Sequence, residues 1–119
     1  MKLSKWFEFD AAHFLPNVPE QHKCRRMHGH TYRVVFTIDG DVDADGFTAG
    51  LDFSDIAREC AAVQGVLDHR ILNDIAGLHN PTAENLAIWI AQFWGQFVSH
   101  PLSSVTVCES TSTSCTYEP

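Results

Sequence analysis

Positive charge is scarce in this chain: eight Lys and Arg stand against fifteen Asp and Glu, for a formal charge of -7. Without a Lys/Arg-rich run there is little counter-ion release to drive phosphate-backbone binding, so no nucleic acid is expected as a partner. Long apolar runs are missing too. No stretch reaches the roughly 18 consecutive apolar residues of a membrane span, and Met1–Trp6 leads into no apolar signal core. The expectation is a cytoplasmic protein with no membrane partner. Four cysteines (Cys24, Cys60, Cys108 and Cys115) include no Cys-x-x-Cys pair, which favours free thiols in a reducing compartment. Repeats, low-complexity tracts and linkers are also absent, so the 119 residues, 45% hydrophobic, are expected to form one domain over 1–119.

What is present is periodicity. From Trp6 to His13, Phe7, Phe9, Ala11 and His13 share one parity while Glu8 and Asp10 share the other, as in a strand. From His28 to Ile38 the positions His28, His30, Tyr32, Val34, Phe36 and Ile38 fall on one face of a second strand. Turn residues at Asp39–Gly46 close it, and a short extended piece is expected near Phe47–Phe53. Ile56, Cys60, Val63 and Leu67 then recur at helical spacing, with Asp52 or Ser54 as the cap. Pro81-Thr82 opens a second helix whose stripe is Leu86, Trp89, Ile90, Phe93 and Phe97. Alternation returns over Ser103–Glu109 and again at Cys115–Tyr117. The predicted architecture is α+β: an antiparallel sheet of about four strands with two helices on one face.

Both of the first two strands carry histidine on their apolar face. Side chains at i and i+2 project together, so His28 and His30 can offer two imidazole nitrogens to one ion, and His13 supplies a third. Three neutral imidazoles with a free fourth position suit catalytic Zn2+, a Lewis acid toward a bound oxygen. The competing reading is a polar strand start with His13 hydrogen-bonded elsewhere, and spacing leaves both open. Cys24 lies four residues before His28 among Lys23, Arg25 and Arg26, where positive charge favours thiolate. It reads as a nucleophile or general base, as a fourth zinc ligand, or as an inert loop thiol. Cys60 and Cys108 read as packing, and His22, His79 and His100 as solvated loop residues. Asp68-His69, at the end of the first helix, reads either as a proton-relay pair or as a cation on the helix dipole. Glu109 shares a face with Val105 and Val107, where an unpaired carboxylate is costly, so it is either at the solvent edge or holding a pair of donors.

The ordered series Phe9-Asp10-Ala11-Ala12-His13, Cys24-x-x-x-His28-Gly29-His30, Leu51-Asp52-Phe53, Leu67-Asp68-His69 with Leu72-Asn73, Asn80-Pro81-Thr82-Ala83-Glu84-Asn85 and Val107-Cys108-Glu109 resembles the 6-pyruvoyl-tetrahydropterin synthase family. The three-residue gap between Cys24 and His28 is similar to its carboxy-forming bacterial branch. That resemblance implies a tunnelling fold (T-fold), trimers that stack as hexamers, and active sites between subunits. It implies zinc on His13, His28 and His30, proton transfer by the catalytic Cys24 with His69 as relay and Asp68 or Glu109 beside it, and Glu109 also anchoring the pterin. The implied reaction takes 7,8-dihydroneopterin triphosphate and water to 6-carboxy-5,6,7,8-tetrahydropterin, acetaldehyde and triphosphate, in queuosine biosynthesis. Lys23, Arg25 and Arg26 are the expected triphosphate contacts. Pyruvoyl formation from the same substrate, a zinc- or pterin-binding module without turnover, and a structural Cys-His-His-His clamp are the alternatives.

Overall fold

The computed structural model describes residues 1–119. Two long strands dominate it, because alternation runs unbroken through both. β1 (Lys2–His13) and β2 (His28–Asp39) pair antiparallel over their whole length, from Lys2 opposite Asp39 to His13 opposite His28. β4 (Ser104–Ser110) pairs antiparallel with β2, and β5 (Thr113–Tyr117) with β4. Between β2 and β4 in sequence, β3 (Arg70–Ile71) pairs parallel with Ala11 and Ala12, giving the sheet order β3-β1-β2-β4-β5. The sheet thus has five strands rather than the expected four. β3 is two residues long, too short for alternation to register.

One face of this sheet is the core. Phe9, Ala11 and His13 from β1, Tyr32, Val34, Phe36 and Ile38 from β2, and Val105 and Val107 from β4 are buried on it. Both helices cover that face. α1 (Phe53–Leu67) buries Ile56, Cys60, Val63 and Leu67 and begins with a capping box, in which Asp52 accepts from the first turn while Asp55 accepts from the Asp52 N–H. α2 (Ala83–Phe93) buries Leu86, Ala87, Trp89 and Ile90 and is capped by Thr82, whose hydroxyl accepts from Asn85 N–H at 3.1 Å. Full burial of each such large apolar side chain contributes about 1.5–3 kcal/mol.

Two expectations need correcting. Phe97 is not on the α2 stripe: the helix ends at Phe93, and Phe97 is 54% exposed. The cause is Glu59 of α1, fully buried, whose Oε1 accepts from the backbone N–H groups of Gly95 (3.2 Å), Phe97 (2.7 Å) and Val98 (2.9 Å). Those donors turn to a carboxylate instead of to carbonyls four residues back, and Gly95 takes a φ of +100° to let them. Nor is Phe47–Phe53 a strand. A single bridge joins Val42 to Thr48, because the Asp43 carboxylate accepts from both Asp45 and Phe47 N–H and closes a turn there.

The β1–β2 ribbon makes the body long, 57 × 24 × 21 Å, with a radius of gyration of 15.4 Å. A compact chain of this length would have about 13.5 Å. No helix is long and apolar enough to cross a membrane.

Candidate metal centre and its surroundings

The β1–β2 register sets His13 directly opposite His28, and His30 lies two residues further along the same face. The three rings stand edge to face, with centroids 4.6 Å (His13–His28), 5.1 Å (His13–His30) and 4.9 Å (His28–His30) apart. One ligand nitrogen from each lies within 4.8 Å of the other two. His13 Nδ1 donates to the Pro81 carbonyl at 2.8 Å, and His28 Nδ1 donates to the Arg26 carbonyl at 2.7 Å. A carbonyl can only accept, so each Nδ1 carries a proton, and in the neutral tautomer this selects, Nε2 is bare and faces the other ring.

Those two Nε2 atoms are 3.0 Å apart. Lone pairs facing at that distance repel unless a cation lies between them. Nitrogens sharing one ion at about 2.0–2.1 Å in a tetrahedral arrangement are roughly 3.3 Å apart, so the donor set fits a divalent metal. Its protonation also fits. Burial pulls the pKa of His13 below the ordinary value, against the opposing pull of its Pro81 hydrogen bond and of Glu109, and burial does the same to His30. Both are therefore held in the neutral, ligating form. Beneath them Tyr32, fully buried, brings its hydroxyl to 3.2 Å from His13 Nδ1; burial pushes its own pKa far up, so it stays protonated.

Glu109, on β4, reaches the cluster: its Oε2 is 4.0 Å from His30 Nε2. Beside it opens a cleft of about 840 Å³ lined by His30, Arg33, Glu109 and the Ser110–Ser114 segment, rich in hydroxyls and nearly free of hydrophobic residues. Cys24 is half-buried on a short 3-10 turn, Lys23–Arg25, and is not among the convergent ligand atoms. The turn is tied down by Cys24 N–H donating to His22 Nδ1 (3.1 Å) and by Leu15 N–H donating to the Cys24 carbonyl (2.8 Å). His22, expected to be merely solvated, is thus a cap. Of the basic residues beside Cys24, Arg25 spends one N–H on the Val18 carbonyl at 2.9 Å, and Lys23 and Arg26 are exposed.

Asp68 and His69 do meet, though neighbours on a helix cannot. α1 stops at Leu67, Asp68 is extended, and His69 takes a φ of +58°, which brings His69 Nδ1 to 3.0 Å from Asp68 Oδ2. Asp68 Oδ1 accepts from Asp10 N–H at 3.0 Å, and His69 N–H donates to the Asp10 carbonyl at 2.7 Å. The Asp10 N–H first, then His69, hold the Asp68 carboxyl below the usual carboxylate range. The pair is anchored three residues before His13 and makes no hydrogen bond to the histidine cluster. A shallow cleft of about 530 Å³ runs between them, past His30, Asp10, His69 and Arg70. Sequence reasoning missed the carbonyls of Pro81 and Arg26, which carry no side-chain signal, and the contact of Tyr32 with His13, which depends on the β1–β2 register rather than on the parity Tyr32 shares with His30.

The family model of 6-pyruvoyl tetrahydropterin synthase matches residues 2–119. A 6-carboxy-5,6,7,8-tetrahydropterin synthase of Synechocystis is 38% identical over 117 residues, 95% of this chain and 89% of its own length. A dihydroneopterin monophosphate aldolase of Pyrococcus furiosus is 34% identical over 84 residues, 71% of this chain and 66% of its own. Among solved structures, the 6-pyruvoyl tetrahydropterin synthase of Caenorhabditis elegans superposes with a TM-score of 0.87 at 26% identity, covering 100% of this chain and 95% of that one.

Proposed function

Because this chain belongs to the 6-pyruvoyl tetrahydropterin synthase family, we propose that it converts 7,8-dihydroneopterin triphosphate and water to 6-carboxy-5,6,7,8-tetrahydropterin, acetaldehyde and triphosphate, within queuosine biosynthesis. The observation that carries this reading is the pair of bare His13 and His28 Nε2 atoms facing each other at 3.0 Å beside the Glu109 carboxylate. It is a metal-binding donor set next to an acceptor suited to a pterin edge.

His13, His28 and His30 hold the metal, taken to be Zn2+, which when bound supplies Lewis-acid stabilisation of negative charge growing on the substrate's side-chain oxygens. Glu109 accepts from the 2-amino and ring N–H groups of the pterin, a two-point contact that fixes the ring's orientation. Cys24 takes and returns a proton at the substrate side chain. His69, its Nδ1 held by Asp68, offers Nε2 as the second proton carrier. Lys23, Arg26 and the remaining N–H groups of Arg25 meet the triphosphate, a local patch in an otherwise acidic protein.

Since His69 is anchored to the far edge of β1, it completes the site of a neighbouring copy in a trimer or dimer of trimers. The elongated body and the two open sheet edges, β3 and β5, support assembly through the sheet.

Incubating the purified protein with dihydroneopterin triphosphate and identifying products by mass tests the reading. The expected products are the carboxy-pterin and acetaldehyde, with Cys24→Ala keeping metal and losing turnover. A pyruvoyl product would reassign the reaction within the family. The Pyrococcus furiosus relative's name supports a second reading, aldol-type cleavage of a dihydroneopterin monophosphate; running that substrate in parallel separates the two. A wild-type chain that binds pterin but turns over neither would be a binding module.

A further inference from the structure

β3 lasts for only two residues, yet the chain leaving α1 follows β1 for longer. Asp68 and His69 hold Asp10, and Arg70 and Ile71 pair with Ala11 and Ala12. The chain then tightens into a 3-10 turn, Leu72–Asp74, and its backbone can no longer serve as a ladder partner. At that point a side chain takes over. Phe14 N–H donates to Asn73 Oδ1 at 3.0 Å, and Asn73 Nδ2 donates to the Phe14 carbonyl at 2.8 Å. A carboxamide has the same donor and acceptor as a peptide unit, so Asn73 imitates one further residue of β3. It is 8% exposed, and both of its polar atoms are satisfied by this contact.

Phe14 sits between two groups of the proposed site. On one side is His13, whose ring is held by Pro81. On the other is Leu15, whose N–H holds the carbonyl of Cys24. Three consecutive residues are thus clamped to three separate segments: the start of α2, the exit of α1 and the Cys24 turn. Pro81 and Cys24 each hold on with a backbone carbonyl; only from the exit of α1 does a side chain reach in.

We propose that Asn73 is a positioning residue: its carboxamide fixes the end of β1 that carries His13 and, through Leu15, the turn that carries Cys24. The part concerning Cys24 rests on the function proposed above; the part concerning His13 does not. Leu at this position offers neither a donor nor an acceptor to the Phe14 N–H and C=O, and an ionised Asp offers no donor.

The test compares Asn73→Ala and Asn73→Leu with Cys60→Ala, a truncation of the α1 core of comparable expected stability cost that touches neither loop. Zinc affinity is measured by competition with a chromophoric chelator, and exchange of the Phe14 and Leu15 amides by NMR, all well below each variant's Tm. Both Asn73 variants are expected to bind zinc about 10–100-fold more weakly, the range for loss of a group that orients a metal ligand. They should also lose protection at Phe14 and Leu15, while Cys60→Ala changes neither. Zinc affinity within twofold of wild type in the folded Asn73 variants, or an equal loss in Cys60→Ala, overturns the proposal. At saturating metal, kcat should fall with KM nearly unchanged; an unchanged kcat overturns the Cys24 half. If wild type turns over no pterin, the proposed function fails, and the metal titration still decides the role of Asn73.

Discussion

Glu59 offers a sharp test of how the helix layer is held. Its Oε1 accepts three backbone N–H groups from the loop after α2, while Oε2 is buried with no partner. Hydrogen bonds to a charged group contribute about 1.5–3 kcal/mol each, so three suggest roughly 4.5–9 kcal/mol gross. Against this stands the desolvation of a buried carboxylate, several kcal/mol, made worse by the orphaned Oε2. Gln96 and Phe97 are exposed, so in a truncated variant water can reach part of the loop. The net cost of Glu59→Ala then comes to about 3–4 kcal/mol, adding the cavity left behind. For a chain this long the unfolding entropy is about 0.25 kcal/mol/K, so Tm should drop by roughly 12–16 °C. Glu59→Gln keeps one acceptor and sheds the charge, and should cost about 1–2 kcal/mol. Urea unfolding followed by circular dichroism measures both, with m unchanged if only stability has moved. Amide exchange at Gly95, Phe97 and Val98 should accelerate in the Ala variant. A loss below about 1 kcal/mol, or equal losses in Ala and Gln, would refute the account of why α2 stops where it does.

The remaining predictions concern the site and its thiols. Zinc at about 1,000 times its Kd should stabilise the chain by roughly 4 kcal/mol, about 16 °C in Tm. His13→Ala should abolish that shift in differential scanning fluorimetry while His79→Ala, in an exposed loop, preserves it. Burial pushes the Cys60 thiol up to about 11. Iodoacetamide mapping at pH 8 should therefore leave it unlabelled until the chain unfolds. Because its folded pKa is raised, the stability it contributes is complete below the unfolded value and is lost as pH climbs toward about 11. Asp68 has the opposite sign: its folded pKa is depressed, so its contribution is present above the unfolded value of about 3.9 and disappears as pH falls through the folded one. Carbon-detected NMR titration of the Asp68 carboxyl should show the low value, and His69→Ala should move it up.

Much of the architecture was readable because β1 and β2 alternate without interruption, and because α1 and its Asp52 cap follow local rules. The histidine set was readable for the same reason: parity alone puts His28 and His30 on one face. That His13 faces them depends on the β1–β2 register, which a sequence can only suggest. β3 is too short to show a period. The end of α2 was missed because a residue more than thirty positions earlier, Glu59, dictates it. The ring-orienting carbonyls of Pro81 and Arg26 are backbone atoms present at every residue, so nothing in composition singles them out.

The left-handed backbone at His69 carries a consequence for how this position can vary. An L-residue there costs roughly 1–2 kcal/mol that glycine would avoid. A His69→Gly chain should thus keep its fold, with relief of the torsional cost offsetting part of the added freedom of the unfolded chain, while losing its imidazole. Under the proposed role of this imidazole as a proton carrier, torsional relief and chemistry pull the one position in opposite directions, and a β-branched replacement would satisfy neither.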